Sequence, residues 1–184
     1  MIYVAVIVAI CLAELLIRRY INQNVEEDGQ KWGKCGVRLR KYHNYGMAND
    51  TLRKRPMLVK IIGVVVVSFL AVVFLFLLTL KGEKAGKWGL ALILGGGLAN
   101  LLERFVHGYV TDYLQFRVPL ACLRKLIYNV ADLCIFAGTA ILFFRELAEA
   151  VNGIGDGIKT AVEKSMKDER LKADLITNVS HDIK

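Results

Sequence analysis

The stretch "LANLLERFVHGYVTDYLQF" (residues 98–116) carries most of the information about the fold. It continues a run of small apolar residues, "LILGGG" (92–97), which is typical of the interior of a membrane helix. It then brings Asn100, Arg104 and Asp112 into one short segment. Ionisable groups near a bilayer core are costly and usually serve a function. The stretch therefore predicts a helix that leaves the membrane beside a polar site.

Four apolar stretches indicate a membrane protein. The chain has 184 residues and is 55% hydrophobic. The stretches cover residues 2–17, 57–80, 88–102 and 126–144, and a spanning helix needs about 20 residues. The first and third reach that length if flanking charged side chains extend toward the headgroups. The first stretch lacks the basic start and the cleavage site of a signal peptide. We therefore predict an all-α membrane protein with four transmembrane helices.

The connections predict a small β-containing segment and a separate tail. "CGVRLRKY" (35–42) alternates apolar and basic residues, which predicts a short strand or hairpin between helices 1 and 2. The short connection 81–87 makes the second and third spans antiparallel neighbours. "NGIGDG" (152–157) is interpreted as a hinge, because the composition becomes charged beyond residue 144. This divides the chain into a membrane domain, residues 1–151, and a hinge with a charged helix, residues 152–184.

The charge and the cysteines limit the possible partners. The formal net charge is +8, and many basic residues flank the predicted spans. Such residues favour contact with anionic membrane lipids and make nucleic-acid binding the weaker interpretation. The cysteines, Cys11, Cys35, Cys122 and Cys134, form no CxxC pair. They predict neither a disulfide framework nor a zinc site, and no metal or cofactor is expected.

Two aspartates are predicted to meet at one end of the third and fourth spans. Asn100 and Arg104 share one face of the third helix, and Asn129 and Asp132 share one face of the fourth. Asp112 lies in the connection between these helices. Two carboxylates in a low-dielectric site share a proton and can act as acid and base on a water molecule. This is the chemistry of an aspartic peptidase.

The residue types alone also allow a structural interpretation. Asp112 is a possible helix cap, and Asp132 a possible ion-pair partner of Arg104. Asn100 and Asn129 are of the kind that hydrogen-bonds neighbouring membrane helices together. Perturbed carboxylates occur in structural networks as well as in active sites. The residue chemistry therefore leaves a catalytic pair and a structural network both open.

Several motifs, in order, resemble those of the lipoprotein signal peptidase (signal peptidase II) family. That family has N-x-x-D-R, a glycine and V-x-D-F around its third span, matched here by "NLLER" (100–104), Gly108 and "VTDY" (110–113). Its F-N-x-A-D motif is matched by "YNVAD" (128–132), and its N-x-G-A-A motif by "NYGMA" (44–48). Its D-x-x-x-K pair in the first span corresponds to Glu14 and Arg18. The resemblance covers about residues 1–150, and the departures are Glu103, Met47, Tyr113 and Tyr128.

The resemblance implies a membrane aspartic endopeptidase without a metal. Its substrate would be a diacylglyceryl-modified prolipoprotein, cut just before the lipidated cysteine. Asp112 and Asp132 fall on the catalytic positions. The implied substrate-binding residues are Asn44, Gly46, Asn100, Arg104 and Asn129. An inactive homologue that only binds lipid or peptide is the alternative for this part of the chain.

The resemblance also implies a multi-pass protein of the bacterial cytoplasmic membrane with both termini in the cytoplasm. The first connection, residues 18–56, is then extracytoplasmic and contains the β segment. Its many Lys and Arg residues conflict with the positive-inside rule. We follow the motifs, because the family's site is assembled on the outer side.

The tail "MKDERLKADLITNVSHDIK" (166–184) resembles a different family. It is similar to the phosphoacceptor box of membrane sensor histidine kinases, which makes His181 the candidate phosphoacceptor. A fused or truncated reading frame is the preferred interpretation. The alternative is that the chain is a membrane sensor fragment of a histidine kinase.

Overall fold

The computed structural model describes residues 1–27, 36–47, 51–117 and 126–182, with side chains up to residue 172 in the last helix. Long helices dominate, and a small antiparallel sheet accompanies them. The elements are α1 (Ile2–Asn24), β1 (Val37–Asn44), α2 (Pro56–Thr79), α3 (Lys84–His107), β2 (Val110–Phe116), β3 (Ile127–Tyr128) and α4 (Val130–Asp182). The cysteines Cys35 and Cys122 lie outside the described residues, and Cys11 and Cys134 are free thiols.

Within the described part of the chain, two helices, α2 and α3, are by length and composition apolar enough to cross a membrane. In α2, only Val59 and Phe74 are buried, while large apolar side chains such as Phe69 and Val72 are exposed. An apolar helix that stays exposed along most of its length suits contact with lipid. The structure thus confirms a mostly helical chain with membrane character.

The helix α3 is central and packs against α1, α2 and the start of α4. Its core residues Leu90, Ala91 and Leu94 are almost completely buried and pack against Phe74 of α2. Its small residues allow neighbouring helices to approach closely. A Cβ on Gly95 would lie 2.7 Å from Ile10 Cδ1 of α1.

The sheet has the strand order β1-β2-β3, with both pairs antiparallel. The predicted strand in "CGVRLRKY" is β1, and it carries a register shift between Leu39 and Tyr42. Asp112 on β2 is the partner of Tyr42 in this register. We predicted β structure only between helices 1 and 2, but β2 and β3 come from the connection after α3. Side chains of β2 are buried on both faces, so its sequence shows no alternation.

A glycine separates α3 from β2. The backbone of Gly108 has φ +83°, in the left-handed region where a side chain is strained. Its N–H donates to the Arg104 carbonyl at 3.1 Å, which ends the helix in a common way. The strand begins two residues later, at Val110. This turn carries Asp112 out of the helix and into the sheet.

Residues 152–157, which the sequence predicted as a hinge, are helical, because α4 continues through them. Each glycine weakens a helix by about 1 kcal/mol but does not have to break it. Contacts divide the chain into two compact units, Met1–Leu142 and Phe143–Lys184. All side chains described between residues 146 and 172 are exposed. The boundary of the membrane domain at residue 151 stays a prediction.

Candidate active site

The structure brings Asp112 and Asp132 to one cavity of about 200 Å³. Asp112 comes from β2 and Asp132 from the first turn of α4. The predicted substrate-binding residues Asn44, Asn100, Arg104 and Asn129 also line this cavity. Its apolar wall is formed by Met47, Val110, Leu126, Ile127, Ile135 and Phe136. A larger cavity, of about 390 Å³, lies between α1 and α3, but neither aspartate lines it. We therefore place the chemistry in the smaller cavity.

Asp132 is fixed by a reciprocal cap at the start of α4. The Asn129 side-chain oxygen accepts from the Asp132 N–H at 2.8 Å, and Asp132 Oδ2 accepts from the Asn129 N–H at 3.2 Å. This is a capping box in which Asn and Asp take the usual positions of Ser and Glu. The positive end of the helix dipole favours a negative charge at Asp132. The cap and the helix dipole therefore favour the ionised form of Asp132, while its partial burial opposes the charge.

Two further side chains complete the cap of α4. The Tyr113 hydroxyl accepts from the Val130 N–H at 3.2 Å, and Glu14 Oε1 accepts from the Ala131 N–H. The first N–H groups of a helix have no partner within the helix and need one from outside. Residues far apart in sequence therefore hold the end of α4 that carries Asp132.

Asp112 is buried and accepts two hydrogen bonds. The Asn44 side chain donates to Oδ2 at 3.1 Å, and the Asn129 side chain donates to Oδ1 at 2.7 Å. Burial, followed by repulsion from Asp132, raises the pKa of Asp112 to about 7. A carboxyl group with this pKa is still protonated in about half of the molecules at neutral pH. The environments of the two aspartates therefore differ, as acid and base roles require.

The asparagine amides face the aspartates with their N–H groups. The Asn44 carbonyl oxygen accepts from the Gly46 N–H at 3.0 Å, so its amide nitrogen faces Asp112. The side-chain oxygen of Asn129 accepts from the Asp132 N–H, so the amide nitrogen of Asn129 also faces Asp112. The side chain of Asn100 donates to Asp132 Oδ1 at 2.9 Å. Each of the four carboxylate oxygens thus accepts a hydrogen bond, and hydrogen bonds of this kind favour the ionised form.

The Arg104 side chain contacts backbone carbonyls. Its Nη2 donates to the Gly46 carbonyl at 2.9 Å, and its Nη1 donates to the Asn100 carbonyl at 3.4 Å. Among the described residues, its buried Nε has no hydrogen-bond partner. These contacts therefore do not form the structural Arg104–Asp132 ion pair that was considered as an alternative.

Glu14 and Arg18 lie behind the site, and the sequence predicted no role for them. Their side chains are 1% and 3% exposed, and Arg18 Nε lies 2.9 Å from Glu14 Oε2. A charged pair four residues apart in an apolar stretch was the available signal. Near them, Glu103 Oε1 accepts from the Thr111 hydroxyl at 3.1 Å, next to Asp112. These residues form a buried charged layer behind the aspartates.

The two other histidines are close to the sheet. The His43 ring stacks on Tyr109 with centroids 4.1 Å apart. Its Nε2 lies 3.3 Å from the Asn22 side-chain oxygen, and burial, followed by repulsion from Lys41, lowers the pKa of His43. His107 Nδ1 lies 3.5 Å from Glu103. Neither histidine lines the cavity of the aspartates.

Comparisons with known proteins agree with the geometry. The family described as "Signal peptidase (SPase) II" matches residues 6–148. The lipoprotein signal peptidase of Halothermothrix orenii is 31% identical over 143 residues, 77% of this chain and 92% of that protein. The one from Mesorhizobium japonicum is 41% identical over 88 residues, 46% of this chain. That alignment spans about half of the relative, 51%.

Solved structures share the fold. One, described as a bacterial membrane enzyme structure obtained by the in meso method, has a TM-score of 0.71 and 18% identity. The match covers 82% of this chain and 90% of the chain in that structure. A second such structure has a TM-score of 0.67 and 17% identity, and it covers 79% of this chain and 92% of its own.

The tail, residues 166–184, lies outside the family match, which ends at residue 148. These comparisons give no support to the kinase resemblance of residues 166–184, and the side chain of His181 lies outside those described. The match to residues 6–148 and the alignment along nearly all of the Halothermothrix relative both concern the helices and the sheet that carry the aspartates. The chain therefore belongs to the signal peptidase II family.

Proposed function

We propose that the chain is a membrane aspartic endopeptidase that removes signal peptides from diacylglyceryl-modified prolipoproteins, cutting before the lipidated cysteine. The observation that carries this proposal is the pair Asp112 and Asp132 at one cavity. Their four carboxylate oxygens all accept hydrogen bonds from asparagine N–H groups. Membership of the signal peptidase II family supports the same activity.

The environments of the two aspartates suggest their roles. Asp132 is the general base, since the start of α4 favours its ionised form. It takes a proton from water, while the water oxygen bonds to the scissile carbonyl carbon. Asp112 gives its proton to the carbonyl oxygen. As the C–N bond breaks, Asp132 passes its proton to the amine of the cysteine, and Asp112 recovers a proton from the collapsing diol.

The cavity offers separate places for the polar and apolar parts of a substrate. The unpartnered Nε–H of Arg104 is a donor for a peptide carbonyl. The residues Asn44, Gly46, Asn100 and Asn129 act on the substrate chiefly by holding the aspartates and Arg104. The apolar wall, with Ile127 and Phe136, suits the side chains of a signal peptide. A prolipoprotein brings both kinds of group to the membrane surface.

We further propose that four helices cross the bacterial cytoplasmic membrane, with both termini in the cytoplasm. The exposed apolar side chains of Leu12, Leu15 and Leu16 support α1 as a span beside α2 and α3. The first part of α4 would be the fourth span. Exposed Arg53, Lys54 and Arg55 stand just before α2 and suit anionic lipid headgroups.

The orientation has a direct test. A membrane-impermeant maleimide applied to intact cells should label Cys35, while a cysteine introduced in the tail should react only after lysis. Variants without Cys11, Cys122 and Cys134 make the signal specific. If Cys35 is protected and the cysteine in the tail is labelled in intact cells, the orientation is the opposite of the proposed one.

The activity is tested with purified protein and a diacylglyceryl-modified lipobox peptide. Asp112→Asn and Asp132→Asn should each reduce cleavage to a trace, because an amide cannot exchange the proton. The matched control is Asp168→Asn, which changes an exposed aspartate of the tail. Substantial turnover in either of the first two variants would remove the aspartic mechanism. A wild-type protein that binds the peptide without cutting it would be an inactive homologue.

A further inference from the structure

The guanidinium of Arg18 is held from three sides beneath the candidate active site. Its Nε contacts Glu14 at 2.9 Å, and its Nη1 donates to the Ala99 carbonyl at 3.0 Å. Its Nη2 donates to the side-chain oxygen of Asn100. Arg18 is 3% exposed. Its planar fork cannot rotate without losing the two hydrogen bonds of its Nη atoms and the ion pair with Glu14, which lacks hydrogen-bond geometry. The position of its Nη2 is therefore fixed by α1 and α3 together.

This contact decides which way the Asn100 amide points. An asparagine amide has one accepting end and one donating end. With its oxygen on Arg18, its nitrogen is left to donate to Asp132 at 2.9 Å. A rotated amide would place an oxygen against the Asp132 carboxylate and an N–H group against the Arg18 guanidinium. Both hydrogen bonds would then be lost.

Asn100 differs in this respect from the two other asparagines. The carbonyl oxygens of Asn44 and Asn129 accept from backbone N–H groups, which no side-chain substitution removes. The carbonyl oxygen of Asn100 accepts from a side chain on another helix. The orientation of this one amide thus depends on a residue outside the cavity of the aspartates.

We propose that Arg18 is a positioning residue of the peptidase. By holding the Asn100 oxygen, it directs an N–H group at Asp132 and so favours the ionised carboxylate that acts as the base. This role rests on the proposed function, since it matters only if Asp132 takes part in the chemistry. Arg18 itself does not line the cavity of the aspartates and contacts no reacting atom.

Several titratable groups surround Asp132, and a test must keep their net charge constant. They are Glu14 and Arg18 on α1, Glu103 and Arg104 on α3, and Asp112 with Tyr113 on β2. Removing Arg18 alone would leave Glu14 as a buried, unpaired charge, which is strongly destabilising. The paired change Glu14→Gln with Arg18→Met removes one charge of each sign. The net charge of the layer is then unchanged, and the donor to Asn100 is gone.

The experiment measures kcat and KM over a pH range on the diacylglyceryl-modified lipobox peptide. The paired variant should lose about ten- to a hundredfold in kcat at neutral pH, with KM changed much less. The acid limb of its profile should move upward by about one pH unit, because Asp132 then keeps its proton more readily. Arg18→Lys keeps a donor and should restore the wild-type profile. Arg19→Met, at the exposed neighbouring position, is the control and should change neither kcat nor the pH profile.

Asn100→Ala provides a second and independent variant. It should reproduce the shifted acid limb, and adding the paired change to it should have little further effect, because both remove the same hydrogen bond. An unshifted acid limb in a folded paired variant, or in Asn100→Ala if the paired variant does not fold, would overturn the role of Arg18. Such a result would leave the peptidase itself intact. Failure of the wild-type protein to cleave would instead refute the proposed function.

Discussion

At the scale of single residues, the protonation of Asp112 sets the pH dependence of the proposed reaction. Its pKa is raised to about 7, by burial and then by Asp132. We expect kcat to fall as the pH rises through about 7, because Asp112 then loses the proton that it gives to the substrate. The full profile should be bell-shaped, with two apparent values that belong to the pair. A rate that stays constant well above pH 7 would contradict the acid role of Asp112.

The raised pKa of Asp112 should also make the stability of the folded protein depend on pH. Between about pH 4 and about pH 7, the unfolded chain has lost the Asp112 proton while the folded protein still holds it. The folded state then binds more protons, so its stability falls as the pH rises through this window. Asp112→Asn should flatten the slope of the free energy of unfolding against pH. Asp168→Asn should leave the slope unchanged, and an unchanged slope in Asp112→Asn would contradict the raised pKa.

Tyr113 is expected to serve stability and not chemistry. Its hydroxyl accepts from the Val130 N–H and donates to Glu14 at 3.3 Å. Tyr113→Phe should cost about 1–2 kcal/mol, since it leaves that N–H without its partner. The thermal midpoint should fall while kcat is largely kept. Tyr20→Phe, at a 58% exposed position, is the control. A loss of kcat without a fall in Tm would instead place the hydroxyl in the reaction.

At the scale of elements, the glycines of α3 set how closely α4 approaches. A Cβ on Gly96 would collide with the Ala131 carbonyl and lie 2.9 Å from Ile135 Cγ1. Gly96→Ala should therefore push the first turn of α4 away and displace Asp132. Overpacking of this kind costs about 1–3 kcal/mol. We expect lower values of both Tm and kcat.

The neighbouring glycine supplies the control for that experiment. Among the described residues, a Cβ on Gly97 would meet only Val67 Cγ2, at 3.3 Å, which is the end of a side chain. Gly97→Ala should therefore be nearly neutral in both measurements. Equal effects of the two substitutions would mean that helix propensity, and not the contact with α4, decides the outcome.

At the scale of the whole molecule, the tail is expected to be dispensable for proteolysis. All side chains described between residues 152 and 172 are exposed, and the family match ends at residue 148. A chain that ends at Val151 should cleave the lipobox peptide with an unchanged kcat/KM. The control is its thermal midpoint, which shows that the shortened protein is folded. Reduced cleavage by a folded, shortened protein would give the tail a part in the activity.

Local patterns predicted much of the architecture. The apolar runs indicated α2 and α3, the alternation in residues 35–42 indicated β1, and the short connection 81–87 indicated neighbouring helices. The glycines of residues 152–157 did not indicate the helix that runs through them, since tolerance of glycine inside a helix depends on its surroundings. The strand β2 was missed because burial of both its faces removes the period of two.

The sequence by itself determined the helical membrane character and the family, because hydropathy and motif spacing are local properties of the chain. It also placed Asp112 and Asp132 near the same ends of two helices. Only the tertiary structure decided how these aspartates are held. Glu14 caps a helix whose first turn lies 117 positions away, and Arg18 orients Asn100 from 82 positions away. Contacts over such distances exist only after the helices pack, and the burial that raises the pKa of Asp112 arises with them.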